Sequence, residues 1–307
     1  MGKYKSVFKS KSEEKYYHVL KARLSDKYNI YPQLPFAQII DLSDMNLNHK
    51  KREFLLKTNV DYTICDKDTN EPLLSIEFDG LGSGFSRDGK YYMKQVTKND
   101  PYRKLKMEAK LQIAKECDYP LFVVSYDECD PINQNLSLAI LDGIIGQFFA
   151  KKNFQKYTGD FNALEKPSFS SPDEKYEYDQ DLVTSAEVMS ELDYDPLAKL
   201  EAKLSVEAEP NRFSLEYLSY PEPPNFDADG PMSASIESWK KRIKAINNAE
   251  RVGVLVVGEY GNVKIPRKIL VRNFEGYGVS PTTIAENIAK ILVWQKIIEI
   301  KQRGVGS

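Results

Sequence analysis

The sequence predicts an α/β protein, and three stretches carry that prediction. Residues 59–80 form two short predicted strands, 60–65 and 73–78, around a loop rich in turn-forming residues. An amphipathic helix over 102–117 then leads into an almost uniformly apolar strand at 119–126. Near the end, strands at 253–257 and 263–271 precede a helix that begins after Ser280 and runs to about residue 301. Mixed strand and helix signals of this kind indicate the α/β class.

The predicted hairpin carries acidic side chains at its open end. If it is symmetric about Thr69, Asp61 lies opposite Glu77, and Glu77 shares one face with Asp79 because side chains alternate along a strand. Like charges at this range repel and raise one another's pKa. The natural partner for such a group is a hard divalent cation that takes oxygen ligands. An ordinary polar strand end with a turn after Asp79 accounts for the same residues without a metal.

A helix and an extended segment are predicted upstream of the hairpin. The helix covers 12–24, with acids in its first turn and an apolar stripe along one face. The stretch 28–36 contains two prolines, which favour an edge strand. Residues 38–56 form a loop-to-helix region with a basic cluster. That cluster is either a solvated loop or a phosphate contact, and it comprises His49, Lys50, Lys51 and Arg52.

Two faces distinguish the helix predicted over 102–117. One face is expected to point into the core and carries Leu105, Ala109 and Ile113. A neighbouring face carries a cationic stripe of Arg103, Lys106 and Lys110. The stripe is either a solvated helix face or a source of positive charge for the hairpin acids.

The strand SIEFDG follows VDYTICD and precedes a lysine-rich helix and the strand YPLFVVS. This series resembles the PD-(D/E)xK nuclease superfamily, in particular the branch related to very-short-patch-repair endonucleases whose third strand ends in E-x-D-G. The resemblance covers about residues 12–126 and includes the early helix SEEKYYHVL. It implies a restriction-endonuclease-like core of about four strands flanked by helices. The implied activity is metal-dependent endonuclease cleavage of nucleic acid, expected to be DNA, in a restriction, repair, defence or mobile-element setting.

The resemblance also implies the acidic half of a catalytic site. Asp61 and Glu77 correspond to ligands for Mg²⁺ (or Mn²⁺), with the carbonyl of Phe78 as a third ligand. Asp79 occupies the slot where the commonest pattern has lysine, and it is expected to ligate a second ion or to position a lysine. Glu13, or its neighbour Glu14, is expected to support the site from the first helix.

Cations are expected from the helix that follows the hairpin. In nuclease-like folds without the in-strand lysine, a cation from this helix often takes its place, and Lys106 and Lys110 match that position. Phosphate contacts are assigned to Arg103, Lys104, Lys50, Lys51 and Arg52. The histidine that often follows D-G in this branch is also absent. The alternative is therefore a nuclease-like module without activity that binds nucleic acid or a protein partner.

Composition is that of a soluble globular protein, with 41% hydrophobic and 29% charged residues among 307. No apolar run reaches the length of a membrane span, and the basic N-terminus lacks the apolar region of a secretory signal. The three cysteines have unrelated spacings, which suggest neither a disulfide framework nor a zinc site. These features predict a cytoplasmic protein without a membrane partner.

Charge divides the chain into three predicted parts. Residues 160–229 carry 5 Lys and Arg against 18 Asp and Glu, whereas both flanking regions are mildly basic. We therefore predict a nuclease-like domain over 1–157, an acidic, proline-rich linker over 158–234, and a small α/β unit over 235–307. Short helices are expected inside the linker, around 184–192 and 197–204. The C-terminal helix is apolar on more than one side, so it is expected to pack against the first domain, another subunit or a protein partner.

Overall fold

A computed structural model describes residues 6–8, 11–79, 102–125, 139–162, 167–218, 251–272 and 276–304. The chain divides into two compact units, Met1–Ile132 and Asn133–Ser307. This division differs from the predicted boundaries, because residues 133–157, expected in the first domain, and the segment expected as a linker both belong to the second unit. The sequence also predicts a basic helix over 239–248 and a glycine-containing loop over 81–100, and both lie outside the described residues. None of the helices in the described ranges is long and apolar enough to cross a membrane.

The first unit is a mixed four-stranded sheet with helices, as the α/β prediction requires. The strand order is β1-β2-β3-β4, with antiparallel pairing of β1 with β2 and of β2 with β3, and parallel pairing of β3 with β4. In chain order its elements are α1 (Lys11–Leu24), β1 (Tyr28–Pro35), α2 (Phe36–Ile39), α3 (His49–Leu56), β2 (Asn59–Asp66), β3 (Pro72–Asp79), α4 (Arg103–Glu116) and β4 (Leu121–Ser125).

The β2–β3 hairpin forms because its turn has the residues that the backbone needs. The carboxylate of Asp66 accepts hydrogen bonds from the backbone N–H groups of Asp68 (2.9 Å) and Thr69 (3.0 Å), and Asn70 takes a φ of 60°. Tyr62 pairs with Ile76 across the hairpin. Continued by one residue toward the open end, this register sets Asp61 opposite Glu77, as the sequence predicted.

Strand position in the sheet agrees with the sequence at β1 and differs at β4. The prolines of β1 place it at the end of the strand order, where a missing N–H donor is tolerated. The almost uniformly apolar sequence of β4 predicts a strand at the centre of a sheet, but β4 lies at the other end of the order of described strands. Leu121, Phe122, Val123 and Val124 are nevertheless all buried. A uniformly apolar run therefore indicates that both faces of a strand are buried. A strand at the end of the order can also be buried on both faces.

The buried face of α4 is rotated from the predicted one. Ala109 and Ile113 are buried as expected, but Leu105 is 48% exposed. Met107, Lys110 and Ala114 are buried instead, at spacings of three and four residues. The sequence left Lys110 on a stripe that is either solvated or a source of positive charge for the hairpin acids. Lys110 is accommodated here because a carboxylate of β3 lies within reach.

The second unit combines a helical layer with a three-stranded antiparallel sheet of order β5-β6-β7. The helix α5 packs mainly against α6, and α8 packs against α7, β6 and β7. Its elements are α5 (Ala139–Asn162), α6 (Pro172–Tyr194), α7 (Pro196–Ala208), β5 (Arg212–Tyr217), β6 (Arg251–Tyr260), β7 (Val263–Arg272) and α8 (Pro281–Gln302).

Two expectations about this unit need correction. The acidic segment is not a bare linker, since α6 begins at a Ser171 N-cap followed by Pro172 and continues for 23 residues. The acid-rich composition predicted a linker because most of the charged residues of this segment occupy the exposed faces of α6 and α7. The apolar residues of α8 are buried within its own unit, so they need no second subunit or partner; they include Ile284, Ile288, Ile291, Trp294 and Ile297.

Asp195 links α6 to α7 and predicts a pH dependence of stability. Its carboxylate caps α7 by accepting from the N–H groups of Leu197 (2.8 Å) and Ala198, and it is 2% exposed. Burial raises its pKa from 3.8 to about 7, against the opposing effect of these two hydrogen bonds, and the charges of Glu191 and Asp142 add to the rise. The folded chain therefore holds this proton more tightly than the unfolded chain does.

The stability contributed by that proton is complete below about pH 4 and is lost as pH rises to about 7. We expect Asp195→Asn, which keeps a capping oxygen, to unfold at a higher temperature than the wild type above pH 7. The advantage should shrink toward pH 4. Thermal unfolding of both proteins across this range measures the difference, and Asp195→Ala is the control that loses the cap. A pH-independent difference between Asn and wild type would contradict the assignment.

Candidate active site

A pocket of about 500 Å³ opens in the first unit at the open end of the β2–β3 hairpin. It brings together side chains of α1, β2, β3 and α4 that are far apart in sequence. The lining residues are Glu13, Lys57, Thr58, Asn59, Asp61, Glu77, Arg103, Lys106, Met107 and Lys110. Six of the residues predicted for the catalytic site or for phosphate contacts therefore share one pocket.

Three carboxylates form the acidic side of the pocket. Asp61 and Glu77 are each 5% exposed, and Glu13 is 9% exposed. Glu13 is the acid of the first helix that faces the site, since Glu14 is exposed. The hydroxyl of Tyr62 donates to the backbone carbonyl of Glu13 at 2.7 Å, which ties the first turn of α1 to β2. Burial, together with the charges of Asp61 and Glu13, raises the pKa of Tyr62, so this donor keeps its proton.

Lys110 is the cation that reaches the hairpin acids. Its Nζ forms an ion pair with Oε1 of Glu77 and donates to the backbone carbonyl of Asn59 at 3.1 Å. Both side chains of the ion pair are almost fully buried, with 5% and 7% exposure. Two carboxylates across a hairpin repel, and a buried lysine between α4 and β3 offsets that repulsion. Lys106 lines the same pocket one turn earlier and is only half-buried.

Gln33 is a site residue that the sequence reasoning missed. Its Nε2 donates to Oδ1 of Asp61 at 2.8 Å and lies 3.5 Å from Oε2 of Glu13, so one amide bridges two carboxylates. The backbone of Gln33 has a φ of 53°, in the left-handed region that non-glycine residues seldom adopt. Strained residues of this kind cluster at functional sites. Its position between Pro32 and Pro35 was the available signal, since proline-flanked strands depart from regular geometry.

Asp79 and Phe78 are the last two residues of β3, and their side chains lie outside what the structure describes. The roles expected for them therefore stay predictions. Their backbone pairs in parallel with Ser125 and Val124 of β4. Phe78 thus directly follows Glu77 on a strand that ends at the pocket.

Four of the predicted phosphate contacts lie away from the pocket lining. Arg52 donates to the backbone carbonyl of Met45 at 2.9 Å and so holds the loop before α3. Lys104 lies 3.8 Å from Glu108 on the exposed side of α4. Lys51 donates to Gln112 at 2.5 Å, which joins α3 to α4. Nζ of Lys50 lies over the rings of Phe54 and Tyr102. Arg103 is the member of the set that lines the pocket.

The donor set of the pocket suits a hard divalent cation. Mg²⁺ is commonly bound through one or two carboxylates, with waters and substrate oxygens completing its shell. Asp61 and Glu77 supply two buried carboxylates on adjacent strands. The described residues contain no preformed group of three or more acid, histidine or cysteine side chains placed to share a metal. Two buried carboxylates are a donor set that Mg²⁺ accepts, so magnesium binding in this pocket stays a prediction.

Comparison with known proteins finds one family model that matches about a third of the chain and gives no activity. A family model described as "Protein of unknown function (DUF2726)" matches residues 5–102. The matched region runs from before α1 to the residue preceding α4, so it contains Glu13, Gln33, Asp61 and Glu77 but not Lys106 or Lys110. No curated protein and no solved structure matches the chain.

Proposed function

We propose that the first unit is a metal-dependent nuclease that hydrolyses phosphodiester bonds of nucleic acid, with DNA as the expected substrate. The observation that carries the proposal is the pocket in which Asp61, Glu77 and Glu13 meet Lys110. Acids for a metal and a lysine beside them are the groups that this chemistry needs. The resemblance to the PD-(D/E)xK superfamily supports the same conclusion.

Asp61 and Glu77 would hold the ion, with the Phe78 carbonyl as a further ligand. A bound Mg²⁺ supplies Lewis acidity toward the phosphate and lowers the pKa of a coordinated water. The protein's own side chains bind the phosphate and orient it toward the ion. Arg103 and Lys106 line the pocket as cations suited to phosphate oxygens. Lys110 is placed to stabilise negative charge that develops on the phosphate.

Gln33 has a positioning role in this proposal. By donating to Oδ1 of Asp61, its amide orients the carboxylate that would bind the ion. Ligands held by such neighbours lose affinity or activity when the neighbour is removed, by about 10- to 100-fold. The left-handed backbone at Gln33 means that this geometry is maintained at a conformational cost.

Two substitutions of Gln33 distinguish the effect of its side-chain amide on cleavage from the effect of its backbone strain on stability. We expect Gln33→Ala and Gln33→Gly to lower the cleavage rate equally, about 10- to 100-fold, because both lack the amide. Gln33→Gly should be the more stable variant by about 1 kcal/mol, since glycine adopts positive φ without steric cost. Initial rates in Mg²⁺ and denaturant unfolding measure the two effects. Wild-type rates in Gln33→Ala would remove Gln33 from the site.

One observation favours the alternative, a nuclease-like module that binds without cleaving. The ion pair between Lys110 and Glu77 already compensates one carboxylate without a metal. A purely structural ion pair predicts that divalent ions neither bind in the pocket nor stabilise the protein. Under that reading the cations of α4 serve nucleic-acid or protein binding alone.

Incubation of the purified full chain with single- and double-stranded DNA and RNA tests the proposal. We expect cleavage in Mg²⁺ or Mn²⁺, none in EDTA, and none in Asp61→Asn under any condition. Thermal unfolding with added Mn²⁺ gives an independent readout of ion binding. Absence of both cleavage and ion-dependent stabilisation across the panel would favour the binding module.

A further inference from the structure

A second cleft flanks α4 on the side of α3. It has a volume of about 380 Å³ and is lined by Asn48, Lys50, Lys51, Phe54, Leu105, Glu108, Ala109 and Gln112. Its apolar surface is open to solvent, because Leu105 is 48% exposed and neighbouring Tyr102 is 46% exposed. Leu105 is also the residue that helix periodicity assigned to the core. Exposed apolar surface bordered by charge marks an interaction site.

Two aromatic rings and a lysine form one cluster beside this cleft. The ring centroids of Phe54 and Tyr102 are 5.5 Å apart, with an interplanar angle of 40°. Nζ of Lys50 lies 5.2 Å from the centroid of Tyr102 and 5.8 Å from that of Phe54. Exposed aromatic faces accompanied by cations are the elements with which proteins hold unpaired bases.

The charge around the cleft favours nucleic acid over a protein as its occupant. Lys50 and Lys51 contribute two cations to the lining, and Glu108 is its one acid. Glu108 has a cation of its own, since Nζ of Lys104 lies 3.8 Å from it. These lysines can contact the phosphates of a nucleic-acid strand, and the aromatic rings can stack with its bases.

The cleft and the catalytic pocket are built on the same two turns of α4. Tyr102 is the N-cap residue, and the next residue, Arg103, lines the catalytic pocket together with Lys106. Leu105 and Ala109, from the adjoining face, line the cleft. A helix with its side chains is about 10–12 Å across. A nucleic-acid strand that leaves the cleft can therefore enter the catalytic pocket within a few nucleotides.

We propose that Tyr102, Phe54 and Lys50 form a stacking platform for unpaired nucleobases, which makes single-stranded nucleic acid the preferred substrate of this site. The inference rests on the proposed function, because the strand held on the platform is the one whose phosphate reaches the catalytic pocket. A base stacks on the exposed face of Tyr102, while Lys50 and Lys51 contact neighbouring phosphates. A closed duplex keeps its bases stacked and gains only the phosphate contacts.

Fluorescence anisotropy of the full chain in EDTA tests the platform without cleavage. The probes are labelled oligothymidylate, oligouridylate and a mixed-sequence duplex of the same length. We expect Tyr102→Ala to weaken single-strand binding about tenfold or more, the scale of one lost stacking contact, with little change for the duplex. Tyr102→Phe should bind like the wild type. Tyr31→Ala is the matched control, since Tyr31 is 39% exposed and bonds to Asn70 at the hairpin turn.

The outcomes separate the platform from the nuclease activity. Wild-type single-strand affinity in Tyr102→Ala, or equal losses for strand and duplex, would overturn the inference even if the protein cleaves. Loss of strand binding in a protein that cleaves nothing would retain the platform and reject the nuclease. The thymidylate and uridylate probes show whether DNA, RNA or both are held. Lys50→Gln should lower the salt dependence of binding for every probe.

Discussion

Lys110→Met is expected to slow cleavage by orders of magnitude and to destabilise the first unit. The substitution leaves Glu77 buried without its cation, which typically costs about 3–5 kcal/mol. Loss of one preorganised charge from the reacting phosphate lowers the rate by about 10²- to 10³-fold. Denaturant unfolding and initial rates, measured at a temperature where the variant is folded, give the two quantities. Added Mg²⁺ should raise the unfolding temperature of Lys110→Met more than that of the wild type, because the ion replaces the missing charge beside Glu77.

Lys106→Met is the matched control for that substitution. Lys106 lines the same pocket from the preceding turn of α4 but is only half-buried. We expect near wild-type stability and a smaller loss of rate. The double variant Lys110→Met, Glu77→Gln should recover most of the stability, since replacing both members of a buried ion pair is often neutral. It should remain inactive. A normal rate in Lys110→Met with a large loss in Lys106→Met would make Lys106 the working lysine.

Asp61→Asn is expected to eliminate activity while the fold survives. Asp61 is buried opposite Glu77, so neutralising it removes repulsion among the pocket carboxylates in the absence of metal. The unfolding free energy should therefore stay the same or rise in EDTA. The rate should fall by about a thousandfold or more, the consequence of losing several kcal/mol of metal-assisted stabilisation. Isothermal titration with Mn²⁺ should show weakened binding.

Asp68→Asn gives the charge-matched comparison for Asp61→Asn. Asp68 lies on the exposed turn of the same hairpin, so its substitution changes net charge equally without touching the pocket. We expect unchanged rate and unchanged Mn²⁺ binding. Full activity in Asp61→Asn would end the nuclease proposal. Equal losses in both variants would point to a general charge effect.

Local pattern was sufficient to predict the hairpin and the residues at its open end. Alternation over β2 and β3, with a turn at residues 66–70, determines which side chains share a face. Spacing alone therefore placed Asp61 opposite Glu77, whereas their role as metal ligands came from the family resemblance and stays a prediction. The C-terminal helix also followed from local pattern, because Ser280 caps α8 and a proline follows it. The α/β class is confirmed by a four-stranded mixed sheet and a second, three-stranded sheet.

Packing decided what local pattern left open. Lys106 and Lys110 lie on one helical stripe, and only the rotation of α4 against the sheet buries Lys110 beside Glu77. Packing between elements distant in sequence also determines that Glu13, and not Glu14, faces the pocket. The same is true of the hydrogen bond from Gln33 of β1 to Asp61. Composition could not distinguish the acidic helices α6 and α7 from a linker. Their charged residues lie on the exposed faces and give no information about which faces are buried. Spacing along the chain determines neighbours within an element, whereas contacts between elements depend on burial, which only the tertiary structure specifies.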